Sequence, residues 1–385
     1  MRHRGVVIVF TLTCIVVILG FAALAIDLGY LQVARVESQN AADAATLAGA
    51  SAFLSETVFS RTGIDDSRLD SVRDRAILYG SYNSVARMPC RLDANLGNGL
   101  SGDIVLGYLD PNNTRGAIDY SNPSMFNAIT VNARRTDLPT FFAGILGHQT
   151  MSVSASATAV VDNRFSGLRP TATGGPLTPF AIKRVTWEDE IVTGEDNFGY
   201  AEDTGILQHG DDIPEVRLYI ATNVTHGQGK NTSPCDDAAG NYGLLNIGNG
   251  SMGVPDLRQQ IVNGITSEDL IGLTGEPMIN LYDGNGAAQT YQVSGNPGIK
   301  AGIESAVEAR LGDVIGFFLY DCLTEQGADA EYRIVDIAFG RIVEVDLTGN
   351  DKRIIIQPDT YPGSEVMTDP SAPLSAIAGR VMLVR

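Results

Sequence analysis

The sequence predicts an α+β protein: a single N-terminal transmembrane helix extended into a long helix, a small antiparallel sheet, and a β-rich α+β domain after them. Three observations predict it. An uncharged apolar run opens the chain, a block of small residues follows with no proline, and most later segments alternate apolar and polar residues. At 385 residues the chain is long enough for two domains, and its apolar fraction of 44% is ordinary. The 42 glycines and few aromatics point to many turns. A formal charge of −18 argues against an electrostatic grip on nucleic acid or an anionic leaflet. Nucleic acid is therefore not an expected partner.

Residues 6–26, "VVIVFTLTCIVVILGFAALAI", carry no charge and suffice to cross roughly 30 Å of hydrocarbon as a helix. Arg2 and Arg4 precede this run and Asp27 follows it. The positive-inside bias then leaves residues 1–5 in the cytoplasm and the bulk outside, with the lipid bilayer as one partner. Cleavage is an open alternative. A signal-peptide cut would fall after Ala25, in "ALA" (residues 23–25), although the apolar core exceeds the usual length of roughly 7–15 residues. A prepilin-type cut after Gly5 would want a glutamate where Phe10 stands.

The helix is expected to continue through residues 27–57, since between Val6 and Phe59 only isolated Gly20, Gly29 and Gly49 interrupt it. Such a rod would measure on the order of 75 Å at about 1.5 Å per residue. Steps of four and three pick out Ala34, Ser38, Ala41, Ala45, Ala48 and Ala52, all small, on one face. Gln32, Arg35, Gln39, Asp43 and Thr46 mark the polar side. A small-residue stripe lets another backbone come close. The chain's own sheet and a partner helix are both open as that neighbour, and alanine is also simply the best helix former.

Three features of residues 4–53 coincide: the apolar helix ending in "AIDLG" (residues 25–29), the block "QNAADAATLAGA" (residues 39–50), and the spacing between them. In these the chain resembles the N-terminal region of TadG-like proteins of the Tad/Flp tight-adherence pilus system, relatives of the pseudopilin-like TadE group. "FFAGILG" and "SVSASATAVV", within residues 141–161, are similar to the same family. The resemblance implies a single-pass protein of the bacterial inner membrane that assists assembly or anchoring of a thin adhesive pilus. It implies pilus-assembly components or pseudopilin-like proteins as partners, a pilin-like helix-on-sheet unit, and no catalytic residue. Many longer relatives carry a von Willebrand A-type domain with a metal-binding Asp-x-Ser-x-Ser. Here "DPSAP" (residues 369–373) lacks the second serine, so that site is not carried over.

Residues 58–163 are expected to form the sheet domain, with strands in "IVLGYLD" (104–110), "AITVNARR" (128–135) and "MSVSASATAVV" (151–161). A short helix is expected in "PTFFAGILG" (139–147). Residues 164–179, "RFSGLRPTATGGPLTP", are rich in Gly, Pro and Thr and read as a linker. The C-terminal domain, 180–385, offers strands at 216–220, 242–247, 277–282, 314–320, 332–347, 353–357 and 379–384. Helices are expected at 255–265 and 299–311, and a partly closed barrel is one arrangement of so many strands.

Chemistry-bearing motifs are weak. "GNGSMG" (248–253) matches a dinucleotide loop between a strand and a helix, but the neighbouring strands do not alternate with helices, and a structural glycine turn is the plainer reading. "HGQGKNT" (226–232) fails as a P-loop, because Val224 and Asn231 break the pattern. His209, His226 and Cys235 match no zinc spacing. No cofactor is expected. The acidic loops "GDDIPE" (210–215), "CDDAAGN" (235–241) and "YDGNG" (282–286) are weak calcium candidates, the last with Ser294 where a closing glutamate belongs. No G-x-S-x-G elbow exists, and nothing nominates a serine to join His148, His209 or His226.

Cys14 lies in the apolar run, and Cys90, Cys235 and Cys322 lie beyond it. An odd number there permits at most one bridge, and Cys235 with Cys322 is the expected pair, unpaired buried thiols being the alternative. Trp187 either fills the core or stacks on a sugar. With the surplus carboxylates, the second possibility keeps an anchored extracytoplasmic hydrolase or carbohydrate-binding protein as the alternative function.

Overall fold

The computed structural model describes residues 4–54, 59, 67–201, 204–219, 241–248, 253–297, 300–324, 330–348, 352–375 and 377–384. The chain divides into two units, the first comprising residues 1–53, 69–161 and 381–385, the second residues 54–68 and 162–380. The architecture is α+β, with a long apolar N-terminal helix and several antiparallel sheets.

In the first unit, helix α1 (Arg4–Ser51) is continuous. Its isolated Gly20 and Gly29 meet no neighbouring atom, and no proline breaks it. It stops at Ser51, short of the expected 57, because Ala52 and Phe53 close a tighter turn onto the Gly49 and Ala50 carbonyls at 3.1 Å each. Helix α2 (Ser67–Ser81) was not anticipated; its buried face is Val72 and Ala76, one helical turn apart. Two short strands follow, β1 (Ser84–Val85) and β2 (Met88–Pro89). Then come β3 (Ile104–Gly107), β4 (Ala128–Pro139) and β5 (Thr150–Asp162), with β4 antiparallel to both neighbours. The C-terminal strand Arg380–Leu383 joins the far edge of β5, so the chain's end returns to its first sheet.

Alternation along β4 sorts the sheet's two faces. Ile129, Val131 and Ala133 stand opposite Ala159, Ala157 and Ala155, and all but Ala155 are fully buried. α1 packs along β4. On the alternate face Thr130 and Thr158 join hydroxyls at 2.9 Å, and Ala128 and Val160 form a small cluster with Leu109.

The second unit begins with β6 (Phe165–Leu168), β7 (Leu177–Lys183), α3 (Arg184–Thr193), β8 (Gly199–Ala201), β9 (Gly205–Leu207) and β10 (Val216–Tyr219). It continues with β11 (Tyr242–Leu245), α4 (Val254–Asn263), α5 (Ser267–Thr274), β12 (Ile279–Asn280) and β13 (Tyr291–Pro297). The last elements are α6 (Glu304–Glu308), β14 (Val314–Thr324), β15 (Ala330–Asp346), β16 (Arg353–Pro358) and β17 (Val366–Thr368).

Seven strands run in the order β10-β16-β15-β13-β11-β7-β14, and β14 pairs again with β15. The pairing therefore closes through β15, β13, β11, β7 and β14, all antiparallel except β7 with β14. Side chains alternate between two cores: Phe317 and Leu319 enter one, Phe318 and Tyr320 the other.

Residues 164–179, expected as a linker, are built into this unit instead. β6 is the central strand of a sheet between β12 and β17, and Phe165, Leu168 and Leu177 are buried. The glycines that suggested flexibility permit close backbone approach: a Cβ on Gly167, at φ +153°, would collide with the Ile279 carbonyl.

Candidate functional site

The small-residue stripe lies inward. Ala34, Ser38, Ala41, Ala45 and Ala52 are buried within the chain, and Ala48 is half-buried. Gly49 extends the same close packing: a methyl group there would meet Ile129 Cδ1 at 2.6 Å and Ala76 Cβ at 3.1 Å. Ala45 faces α2, 3.4 Å from where a Cβ on Gly80 would stand. Thr46, expected on the polar side, is fully buried and its hydroxyl donates to the Ala157 carbonyl at 3.5 Å. Gln39 Nε2 donates to Asp43 and to the Ser156 carbonyl, so part of the polar side also meets the sheet. The Glu37 carboxylate accepts the Ala86 N–H at 2.6 Å, tying the β1–β2 turn to the helix. Ser38 borders a cavity of about 220 Å³ with Cys90, Arg134 and Arg135.

Lower on α1, Asp27 is buried, and its carboxylate accepts N–H bonds from Phe141, Phe142 and Ala143 at 2.7, 3.0 and 2.7 Å. These are the donors at the start of a 3₁₀ turn, Ala143–Leu146, the expected short helix in "PTFFAGILG". Tyr30 meets Phe141 edge-on at 5.2 Å. Asp27 figured in the sequence only as the end of the apolar run, and its capping partners lie 114–116 residues away. Arg2 lies outside the described residues, and Arg4 opens α1.

Two cavities stand out among the described residues of the second unit. One, of about 500 Å³, is bordered by Asn246, Gln260, Thr266 and Asp269, the last two forming the capping box of α5. The other, of about 520 Å³, is lined by Glu190, Glu215, Arg217, Glu344 and Arg353. Its charges are engaged within the chain. Glu190 accepts the Arg217 N–H at 2.6 Å, Glu215 accepts those of Asn197 and Phe198, and Arg353 pairs with Glu344 at 2.6 Å. Burial pushes the Glu215 carboxyl up to about 7, and Asp196 and Asp211 add to the rise against those two N–H donors. Burial raises Glu190 as well.

Trp187 is buried against Phe317, with ring centroids 6.3 Å apart, and so is placed as core rather than as a sugar platform. β11, before the glycine motif, is antiparallel to β7 and β13, unlike a parallel dinucleotide fold. Gly248 and Gly253 are described, while 249–252 lie outside the described residues, as do His226, Cys235 and "HGQGKNT". Among the described residues no three His, Cys, Asp or Glu converge as metal ligands. Asp211 accepts from Gln357, and Asp283 from the Asn285 and Ala287 N–H groups. Cys322 is disulfide-bonded, whereas Cys14 and Cys90 are free thiols.

Residues 5–52 match the family described as Flp pilus-assembly TadE/G-like, and residues 31–159 match a second, described as Tad-like Flp pilus-assembly. No curated protein and no solved structure matches the chain. The matched residues hold α1, its buried stripe and the sheet beneath it as far as β5. Across this N-terminal region, residues 5–159, the chain is similar to the TadE/G-like group of Tad/Flp pilus-assembly proteins.

Proposed function

We propose that the chain is a non-catalytic, single-pass protein of the bacterial inner membrane that assists assembly or anchoring of a Tad/Flp-type adhesive pilus. One observation supports this above others. The most apolar window of α1 is wholly unburied in the protein, while the continuation of the same helix is sealed against its own sheet. A helix so divided fits a lipid-spanning half joined to a folded extracytoplasmic half. Arg2 and Arg4 would hold the N-terminus in the cytoplasm. With the stripe taken up inside the chain, a partner pilus component would meet the outer face of α1, where Val33 and Val36 are exposed.

Deletion of the gene should abolish surface pili, and the full chain should restore them. A version starting at Asp27 and secreted from a cleavable signal should not. Protease added to spheroplasts should digest the bulk of the protein but spare residues 1–5. Normal piliation in the deletion strain, or a protected bulk domain, would overturn the proposal. Replacing Ala41, Ala45 and Ala48 by leucine should misfold the N-terminal unit. Unchanged folding with unchanged crosslinks to partners would end the packing role of the stripe.

A further inference from the structure

Where the apolar run ends, the fold brings a second apolar segment to the same level. The three N–H bonds to Asp27 pin the turn at residues 139–147 to the first position beyond Ile26. Tyr30, packed on Phe141, stands roughly 4.5 Å further along the axis at about 1.5 Å per residue. Three large side chains of this turn are not tucked inward: Phe141 is 61% exposed, Phe142 39% and Ile145 84%. Ile26 and Leu28 on the helix are also about half exposed. Residues 138–149 contain no Asp, Glu, Lys or Arg.

We infer that the turn at residues 139–147 docks into the interfacial layer of the bilayer, Phe141, Phe142 and Ile145 entering lipid and Tyr30 standing at headgroup level. This rests on the reading of residues 6–26 as a membrane anchor. Lipid is the occupant because the patch continues the lipid-facing surface of α1 at the depth where the helix leaves hydrocarbon. Aromatic side chains favour that layer, and interfacial segments enter it by roughly 5–10 Å. With a chain charge of −18, apolar contact rather than attraction to anionic headgroups must hold the turn there. Because the turn lies on one side of α1, its insertion sets both the height of the first sheet above the membrane and the rotation of α1 about its axis. It thereby fixes which helix face is offered to a partner.

The test uses the full chain in vesicles of phosphatidylcholine, with or without bromine on the acyl chains. The protein contains one tryptophan, Trp187, which is buried and serves as the baseline. In the variant Ile145→Trp the added emission should be blue-shifted and should lose most of its intensity in the brominated vesicles. Leu12→Trp, in the middle of the apolar run, should be quenched whether or not the turn inserts. Quenching at position 12 without quenching at 145 overturns the inference and leaves the anchor intact. Quenching at neither position overturns both. Blue-shifted but unquenched emission at 145 would mean that protein rather than lipid covers the turn, which also overturns it.

Discussion

Gly49 of α1 and Ile129 of β4 lie closer than any side chain at position 49 would allow. A Cβ built on Gly49 falls 2.6 Å from Ile129 Cδ1 and 3.1 Å from the Val72 carbonyl oxygen of α2. Helix, sheet and second helix thus meet at one point that only a hydrogen atom fits. Gly49→Ala gains about 1 kcal/mol of helix propensity, but overpacking a closed core costs about 1–3 kcal/mol. Ile129 is fully buried, so its methyl has little room to yield. Gly49→Ala should therefore lower the melting temperature of the detergent-solubilised chain, and Gly49→Leu should prevent stable folding of the first unit. A higher melting temperature for Gly49→Ala would mean that the junction has slack.

What the sequence discloses about this region follows from what each signal measures. The apolar run and the stripe were legible because length and helical spacing are local properties. The closure of the larger sheet was legible only as an abundance of strands, since the second pairing of β14 with β15 depends on contacts across the fold. Residues 164–179 misled because glycine marks both flexible chain and tight backbone contact, and Gly167 is the second kind. Thr46 misled because a hydroxyl that donates to a strand carbonyl is as easily buried as an alanine. The capping of the 139–147 turn by Asp27 left no local trace.

Cys235 and Cys322 are proposed as the disulfide pair. Cys322 is bonded and both Cys14 and Cys90 are free thiols. Peptide mapping of non-reduced protein should recover one linked pair, 235 with 322, and two alkylatable thiols after denaturation. Because Cys322 sits in a buried strand of the closed sheet, loss of the bridge through Cys235→Ser should cost about 2–4 kcal/mol. A linked peptide containing Cys90 would refute the pairing.

Tyr320 and Tyr332 meet edge-on at 5.0 Å in the core of the second unit, and among the described residues neither hydroxyl has a hydrogen-bond partner. Burial pushes both phenols above their ordinary range. An orphaned buried hydroxyl costs about 1–3 kcal/mol, so Tyr332→Phe, which keeps the ring and removes the O–H, should stabilise the chain by about 1 kcal/mol. Tyr361 is the control, because its hydroxyl donates to Glu365 at 3.0 Å. Tyr361→Phe should bring no gain. Equal melting shifts in the two variants would show that the Tyr332 hydroxyl is satisfied in solution.

Glu215 gives the second unit a pH dependence opposite to that of ordinary acid denaturation. Its carboxyl rises from 4.5 to about 7 because burial disfavours the charged form, with Asp196 and Asp211 adding to the effect. Between those values the folded state holds a proton that the unfolded state has released, so stability falls as pH increases. The contribution is fully present below pH 4.5 and is lost as pH passes 7. Its size is on the order of 3 kcal/mol at most, at about 1.4 kcal/mol per pKa unit. Glu190 is raised by burial and acts in the same direction. Asp162 and Asp283 act oppositely but lower: burial at Asp162 is outweighed by its bonds to Arg164, and the Ala287 and Asn285 N–H groups favour the Asp283 anion, so their effect is lost only below 3.8. In Glu215→Gln the neutral amide oxygen can still accept the Phe198 N–H. Denaturation midpoints of the variant should therefore change less between pH 4.5 and 7 than those of the wild type. Identical slopes would mean that Glu215 is already ionised in the folded protein.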